Sequence, residues 1–348
     1  MPKSPLHAVH EAAGARFTDF GGWTMPVQYE GVLAEHASVR EKVGVFDVSH
    51  LGRFEVAGVG AASLIASQLC NDIAKIEPGR AQYTMALNND GGVEDDIIVW
   101  WLSDDRLWVM PNGTNFDGIV ERFRQAAPDG VSISDVRSDT VLLAVQGPDA
   151  PGVIEQVLGA TPGRFRIITR DFGSHTVIAA GTGYTGERGG ELCVSLSGAR
   201  QLWDALTSAG AEPAGLGARD TLRLEMGFPL WGQDLGPDIS PLEAGLGWVI
   251  AWDHDFVGRE ALEAQRSSLA KQLIAFSTKG RAIPRSGYGV RVGESFGSVT
   301  SGNFSPTLQH GIGLAYVSPL PKDDDDMVVT IRGKDVPAAR VTLPFLER

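Results

Sequence analysis

Two adjacent carboxylates, Asp95 and Asp96, follow a polar glycine turn and lead directly into an apolar run at residues 97–101. The Asn, Asp and Gly residues of segment 88–92 are typical of a turn between strands, and the apolar run predicts a strand. Side chains alternate along a strand, so Asp96 shares a face with Ile98 while Asp95 lies on the opposite face. One of the two acids therefore points into any given pocket, where it can serve acid–base or electrostatic catalysis. The alternative is that both acids stay in solvent and cap the turn.

Three further features have residue types suited to chemistry. His50 ends a strand-like run at residues 45–51, where it is either a catalytic base or a histidine with a structural hydrogen bond. Segment 181–191 holds five glycines, which either let the backbone approach a ligand closely or form a tight hairpin. Arg219 lies near the positive end of a predicted helix, an unfavourable place for a cation without a carboxylate partner or a ligand.

The elements that position these residues follow from hydrophobic periodicity. A strand, a glycine and a helix recur from residues 53, 142 and 191, which indicates antiparallel sheets with helices on one face and an α+β fold. After residue 271 short strands broken by Gly and Pro predict a small all-β barrel or sandwich. Helices are predicted over residues 32–42, 61–70, 114–126, 150–158, 199–208, 215–225 and 259–269.

Composition restricts the class of protein. A chain of 348 residues predicts two or three domains. The 43 acidic and 30 basic residues give a formal charge of -13, which argues against a general nucleic-acid or anionic-membrane surface. Cys70 and Cys193 lie in apolar segments, so we expect buried thiols, a reducing compartment and no disulfide. No Cys/His spacing suits zinc, no apolar run approaches 18 residues, and no turn carries a dinucleotide fingerprint. A cytoplasmic protein without metal is expected.

Several stretches together resemble one family, the T-protein of the glycine cleavage system, a tetrahydrofolate-dependent aminomethyltransferase. The resemblance extends over nearly the whole chain. The motifs that carry it are Phe20-Gly21-Gly22-Trp23, Val45-Phe46-Asp47-Val48-Ser49-His50, Gly91-Gly92 with Asp95-Asp96, Val145-Gln146-Gly147-Pro148, Gly183-Tyr184-Thr185-Gly186-Glu187, Gly217-Ala218-Arg219-Asp220, Gly232-Gln233-Asp234, residues 256–262, and Thr300-Ser301-Gly302 with residues 305–308.

The resemblance implies an α+β fold of three domains, arranged as a cloverleaf around a central folate pocket and ending in an all-β barrel-like domain. Residues 1–52 and 137–245 would form a discontinuous folate-binding domain. Residues 53–136 would form an inserted α+β domain that carries the Asp pair. Residues 246–348 would supply a linker helix and the barrel.

The resemblance also implies the reaction and its partners. The methylene unit of an aminomethyl group, carried on the lipoyl arm of the H-protein, passes to tetrahydrofolate as co-substrate. The products are 5,10-methylenetetrahydrofolate, ammonia and dihydrolipoyl H-protein, in functional association with the P- and L-proteins. By matching position Asp96 is the catalytic carboxylate, and the folate-binding residues are Glu191, Arg219, Tyr83, Asn112, Tyr184 and Ile98.

Two alternatives share the folate-binding motifs. A folate-dependent demethylase of the same fold would pass a methyl group to the same acceptor. A non-catalytic folate-binding protein of iron–sulfur maintenance would carry a Lys-Gly-Cys signature, but neither Cys70 nor Cys193 follows Lys-Gly. The chain departs from the family pattern at Leu51, where methionine is usual, and at Trp231, where tyrosine is usual.

Overall fold

The chain divides into two compact units. The structure is a computed structural model that describes residues 1–280, 282–322 and 325–348. The first unit comprises Met1–Gln68, Asp72–Thr84 and Asp96–Arg219, and the second comprises Leu69–Asn71, Met85–Asp95 and Asp220–Arg348. Each of the three segments proposed as domains contains one large sheet. The division into three domains stays a prediction.

The predicted helices are present, with boundaries within a few residues of those expected. The α-helices of the described chain span His7–Ala12, Val32–Glu41, Ala61–Gln68, Phe116–Ala126, Ala150–Leu158, Leu196–Ser208, Leu216–Glu225 and Arg259–Gln265. Short 3-10 turns lie at Ile73–Lys75, Arg137–Asp139 and Gly247–Val249. The last α-helix ends at Gln265, four residues before the predicted end, so the prediction was too long there.

The largest sheet of the first unit carries its helices on one face. Its strands, in spatial order, are Ile167–Phe172, His175–Ala180, Gly189–Ser195, Thr140–Gln146, Gly44–Asp47 and Glu212–Pro213. Leu143, Val145, Leu192 and Val194 pack against helices Ala150–Leu158 and Leu196–Ser208 in one buried cluster. Strand Glu212–Pro213 pairs in parallel with Gly44–Asp47, whereas the other pairs are antiparallel. The sheet is antiparallel, as predicted, except at this edge, where the two-residue strand runs parallel.

A second sheet contains the predicted meander. Its strands, in spatial order, are Arg80–Leu87, Val93–Ser103, Arg106–Met110, Phe54–Ala57 and Ser132–Asp135. Helix Phe116–Ala126 follows the third of these in the sequence, and its buried side chains include Phe116, Ile119, Val120 and Phe123. A separate hairpin pairs Arg16–Phe20 with Trp23–Gln28. Alternation of buried and partly exposed residues along Val93–Ser103 confirms the predicted strand.

The second unit contains a closed barrel, which confirms the predicted C-terminal all-β region. Its strands, in order around the barrel, are Gln272–Thr278, His310–Ser318, Ser295–Ser305, Gly289–Val292, Met327–Ile331 and Lys334–Val341. Phe276, Val292 and Val329 are fully buried in its interior.

A buried polar cluster lies in the same unit. The Asp234 carboxylate accepts hydrogen bonds from Arg223 at 3.0 Å and from the Ser301 hydroxyl at 2.7 Å. The α+β fold class is confirmed.

The strand predicted over residues 45–51 is shorter than expected. It ends at Asp47, and the chain turns at Ser49 and His50. The Asp47 carboxylate accepts a hydrogen bond from the Ser49 backbone N–H at 2.9 Å, a local bond that offers the backbone an alternative to the sheet. His50 therefore lies in a turn after the strand, which corrects the prediction that it ends the strand itself.

Candidate active site

Asp96 is held by two side chains from neighbouring segments of the same sheet. The Tyr83 hydroxyl donates to Asp96 Oδ2 at 3.2 Å, and the Asn112 amide donates to Asp96 Oδ1 at 2.9 Å. Tyr83 belongs to strand Arg80–Leu87, and Asn112 comes two residues after strand Arg106–Met110. Both donors stabilise the ionised carboxylate and fix its direction. Asp96 remains partly exposed, so a ligand can reach it.

The two adjacent acids differ as strand alternation requires. Asp95 is 0% exposed and lies on the face of the fully buried Ile97 and Val99, whereas Asp96 lies on the face of the partly exposed Ile98. The sequence prediction that Asp95 and Asp96 face opposite ways is confirmed, and the alternative that both stay in solvent is wrong for Asp95. A fully buried carboxylate stabilises the fold only when its charge is compensated. Asp95 is therefore enclosed in the protein interior, whereas a ligand can reach the carboxylate of Asp96.

Glu191 is a buried acid on the sheet face opposite the two helices. It lies on strand Gly189–Ser195 between Leu192 and Gly190, and it pairs across the sheet with Ala144 and Ala180. Its side chain is 6% exposed, and the Thr182 hydroxyl donates to its Oε2 at 2.5 Å. This bond fixes the orientation of the carboxylate. A carboxylate held in this way accepts paired N–H donors of a ligand.

Arg219 lies in the first turn of helix Leu216–Glu225, as predicted. Its guanidinium carbon is 4.7 Å from the centre of the Tyr184 ring, a cation–π contact. Burial lowers the pKa of Arg219 below its ordinary value, although the charges of Glu191 and Tyr184 oppose that effect. Arginine keeps its proton, so the lowered pKa means that this buried charge is incompletely compensated. Within the described residues its Nη1 atom has no hydrogen-bond partner.

The glycine-rich segment that carries Tyr184 and leads to Glu191 is fixed by two side chains. Gln146 donates to the Thr182 carbonyl at 3.2 Å and accepts from the Thr185 hydroxyl at 2.9 Å. Arg40 donates at 2.7 Å to both the Thr185 carbonyl and the Glu187 carboxylate, and its side chain is almost fully buried. The segment connects two strands that pair antiparallel, so it forms the loop of a hairpin, and these side chains anchor that loop. That its backbone approaches a ligand stays a prediction.

Glu35 anchors the start of the helix that carries Arg219. Its carboxylate accepts three backbone N–H groups: those of Tyr29 at 2.6 Å, Gly31 at 2.9 Å and Gly215 at 2.8 Å. Gly215 directly precedes helix Leu216–Glu225. A carboxylate that accepts several backbone donors holds their segments together strongly. The position of Arg219 thus depends on an acid about half a chain away in sequence.

Comparisons with known proteins show which family the chain resembles. The GCVT N-terminal domain model matches residues 6–254, and the model of the glycine cleavage T-protein C-terminal barrel domain matches residues 271–347. The aminomethyltransferase of Frankia alni is 46% identical over 99% of this chain and 98% of its own length. That of Mycobacterium tuberculosis strain H37Rv is 44% identical over 98% of this chain and 96% of its own.

A solved structure agrees with the sequence comparisons. The glycine cleavage system aminomethyltransferase T of Bartonella henselae has a TM-score of 0.90 and 31% identity, covering 99% of this chain and 98% of its own. The chain belongs to the aminomethyltransferase (T-protein) family of the glycine cleavage system. It is thus a transferase.

In this aminomethyltransferase, the candidate residues fall into two groups. Asp96, Tyr83 and Asn112 share hydrogen bonds, with Ile98 on the same strand face. Arg219, Tyr184 and Glu191 share a cation–π contact and charge interactions. Their roles stay predictions. Sequence reasoning did not identify the anchors Thr182, Gln146, Arg40 and Glu35, because a periodicity pattern does not reveal their partners, which are side chains and backbone groups of other segments.

The described residues contain neither a cluster of metal ligands nor a membrane-spanning helix. No group of three or more His, Cys, Asp or Glu side chains is arranged to hold a metal ion there. No helix in the described part of this aminomethyltransferase is long and apolar enough to span a membrane. Cys70 and Cys193 are buried thiols, as the sequence predicts.

Proposed function

We propose that this enzyme transfers the methylene unit from the aminomethyl-dihydrolipoyl arm of the H-protein to tetrahydrofolate. The methylene carbon forms bonds to the two folate nitrogens of 5,10-methylenetetrahydrofolate. Its bonds to the dihydrolipoyl sulfur and to the amino nitrogen break. The two protons that leave the folate nitrogens are taken up by the dihydrolipoyl sulfur and by ammonia. Tetrahydrofolate is a co-substrate in this reaction, and the P- and L-proteins are functional partners of the H-protein.

The observation that carries the proposal is the environment of Asp96. Its carboxylate is partly exposed, and it is oriented by hydrogen bonds from Tyr83 and Asn112. A fixed negative charge next to a reacting nitrogen stabilises the positive charge that develops there and assists proton movement. Asp96 is therefore proposed as the catalytic carboxylate.

The second group of residues suits the pterin of a reduced folate. A pterin has an edge of adjacent N–H donors and a carbonyl acceptor. The Glu191 carboxylate, oriented by Thr182, accepts such donors. The buried Arg219 Nη1, which has no acceptor among the described residues, fits the carbonyl. Tyr184, stacked on Arg219, and Ile98 would line the pocket. These residues fit a bound tetrahydrofolate.

The relatives' name, aminomethyltransferase, supports this reaction over the methyl transfer of a folate-dependent demethylase. The non-catalytic alternative is not supported either, because the similar proteins are named as enzymes. The buried thiols Cys70 and Cys193 suit a reducing compartment, so we place the reaction in the cytoplasm.

The test is steady-state turnover of Asp96→Asn with loaded H-protein and tetrahydrofolate. The substitution keeps size but removes the charge, and its single acceptor oxygen can keep the Asn112 bond while its NH2 group donates to the Tyr83 hydroxyl. We expect turnover to fall by about a hundredfold or more, the range of a positioned acid–base or electrostatic group, with the melting temperature close to that of the wild type.

Asp95→Asn is the matched control, because it makes the same change one residue away on the opposite strand face. It should lower the melting temperature and leave the turnover of the folded fraction much less affected. A nearly normal Asp96→Asn together with a folded but inactive Asp95→Asn would reverse the assignment. Efficient demethylation of a small methylated compound without H-protein would favour the demethylase.

A further inference from the structure

His50 lies against the segment that orients Asp96. Its side chain is buried, with 4% exposure. The Gly52 N–H donates to the Pro111 carbonyl at 2.8 Å, and a Cβ added at Gly113 would lie 2.3 Å from the His50 carbonyl oxygen. Residues 50–52 and 111–113 therefore run side by side. Asn112, in the middle of the second segment, is the residue that donates to Asp96.

His50 is also close to the second group of site residues. The pKa of His50 is lowered to about 3. Burial is the largest cause, and the positive charge of Arg219 is the second. The nearby Arg53 acts in the same direction, while Asp47 opposes it. The imidazole is therefore neutral at neutral pH. His50 thus lies beside the segment that contains Asn112 and near enough to Arg219 for that charge to affect its pKa.

The ring of His50 has an unsatisfied polar atom. Its Nδ1 is buried and has no hydrogen-bond partner among the described residues. The Nη1 of Arg219 is likewise buried without a hydrogen-bond partner among the described residues. Most buried polar atoms in proteins have partners, because an unpaired one loses its hydration without replacement. Two such atoms, on two buried residues near the candidate site, indicate a place for a ligand.

The backbone around His50 is held firmly. Arg53, which is 0% exposed, donates from Nη1 to the Leu51 carbonyl at 2.9 Å and from Nη2 to the Thr140 carbonyl at 3.2 Å. Ser49 is tied to Asp47 through its backbone N–H. The Phe20 ring meets the His50 ring edge-on, with 5.2 Å between centres. The unsatisfied Nδ1 thus belongs to a well-anchored residue.

We infer that His50 is a further ligand-binding residue of this site, whose buried Nδ1 forms a hydrogen bond with the pterin ring of tetrahydrofolate beside Arg219. The inference rests on the proposed function. A neutral imidazole donates or accepts at Nδ1 according to its tautomer, whereas Arg219 can only donate. His50 thus adds a directional bond without adding a second positive charge next to Arg219.

The test compares three substitutions of His50 by calorimetric titration. Leucine removes the polar atoms, asparagine places an amide near the position of Nδ1, and glutamine places one near Nε2. The ligands are tetrahydrofolate and 6-methyltetrahydropterin, which lacks the folate tail. His50→Leu should weaken both ligands by about tenfold, the effect of losing one buried hydrogen bond. His50→Asn should stay within a few-fold of wild type, and His50→Gln should resemble His50→Leu.

Melting curves of the ligand-free proteins separate binding from folding. Leucine removes a buried polar atom that has no partner, so His50→Leu should melt no lower than wild type. His7→Leu is the matched control, since the Nδ1 of His7 is also buried without a partner among the described residues and its ring lies 4.3 Å from that of Phe17. His7→Leu should leave both affinities unchanged.

Two results would overturn the inference. One is wild-type affinity in His50→Leu. The other is an equal loss in His50→Asn and His50→Gln, which remains informative even when the leucine variant fails to fold. A wild-type protein that is folded but binds neither ligand would instead overturn the proposed function, so the two failures are distinguishable.

Discussion

At the scale of single residues, three carboxylates in and beside the candidate site differ in their surroundings. Asp95 and Asp96 are neighbours in sequence, yet one is fully buried and the other is accessible and oriented by neutral donors. Glu191 differs again, since it is buried but held by a hydroxyl. Three carboxylates in one enzyme thus have three environments, and each environment predicts a different result for the same change of charge.

Glu191→Gln should weaken tetrahydrofolate binding by about ten- to a hundredfold. The amide has one acceptor oxygen and an unwanted donor, and hydrogen bonds to a charged acceptor contribute about 1.5–3 kcal/mol. The loss should appear in calorimetric titration and as a smaller rise of the melting temperature at saturating ligand, because ligand binding stabilises the folded state. Thr182→Val, which removes the orienting hydroxyl and keeps the charge, should cost less. Equal affinities of wild type and Glu191→Gln would exclude Glu191 from the pterin contact.

At the scale of elements, the segment between strands His175–Ala180 and Gly189–Ser195 packs its backbone closely against the Gln146 side chain. A Cβ at Gly183 would lie 2.0 Å from the Gln146 side-chain oxygen. Gln146 is buried and holds both Thr182 and Thr185, so its amide cannot move without losing those bonds. Glycine at this position is therefore required by packing.

Gly183→Ala should lower the free energy of unfolding by about 1–3 kcal/mol, as an added group does in a well-packed interior. It should also weaken tetrahydrofolate binding, because Tyr184 follows directly and Thr182 orients Glu191. Chemical denaturation and calorimetric titration measure the two effects. Gly152→Ala is the control: a Cβ there meets nothing within 4 Å, and alanine in helix Ala150–Leu158 should stabilise by about 0.5–1 kcal/mol. A Gly183→Ala variant as stable and as tight-binding as wild type would contradict this account.

Much of the fold follows from sequence pattern, and the exceptions have physical causes. The helices and the strand after Asp96 have strong periodicity, and the two faces of that strand follow from alternation alone. The strand that ends at Asp47 was predicted too long because the side-chain bond to Ser49 ends it. The anchors of the site could not be predicted, since Glu35 and Gly215 are 180 residues apart and interact through a backbone group. Family motifs supplied the candidate site residues that periodicity could not, and their roles stay predictions.

At the scale of the whole molecule, an acidic protein that buries ionisable groups is sensitive to acid. The unfolded His50 binds a proton below about pH 6.5. The folded one does so only near pH 3, because burial and the charges of Arg219 and Arg53 outweigh that of Asp47. Between these values the unfolded state holds more protons, so stability falls as pH falls.

His50→Leu should therefore flatten the pH dependence of unfolding between about pH 6.5 and 3. The wild type should lose about 1.4 kcal/mol more per pH unit than the variant across this window. Urea denaturation at pH 7, 6, 5 and 4 gives the two slopes. Parallel slopes would mean that His50 is protonated in the folded protein as readily as in the unfolded one.

A second acid-sensitive group acts at lower pH. Burial alone would raise the pKa of Asp47, but the hydrogen bond and charge of His10, with bonds from Ser4 and Ser49, hold it below its ordinary value. Its contribution to stability is present above the unfolded value of about 3.9 and is lost as pH falls through the lower, folded value. Asp47 thus extends the loss of stability that His50 begins.

The carboxylate of Glu35 also sets an order of events during synthesis. Its bonds to Tyr29 and Gly31 can form early, whereas the bond to Gly215 must wait for about 180 further residues. At about 5–20 residues per second this delay is on the order of 10–35 seconds. A nascent chain therefore emerges with its N-terminal segment incompletely paired, and the helix that carries Arg219 is the part that completes it. A ribosome that stalls before residue 215 would hold a chain in which the Glu35 carboxylate still lacks the Gly215 N–H.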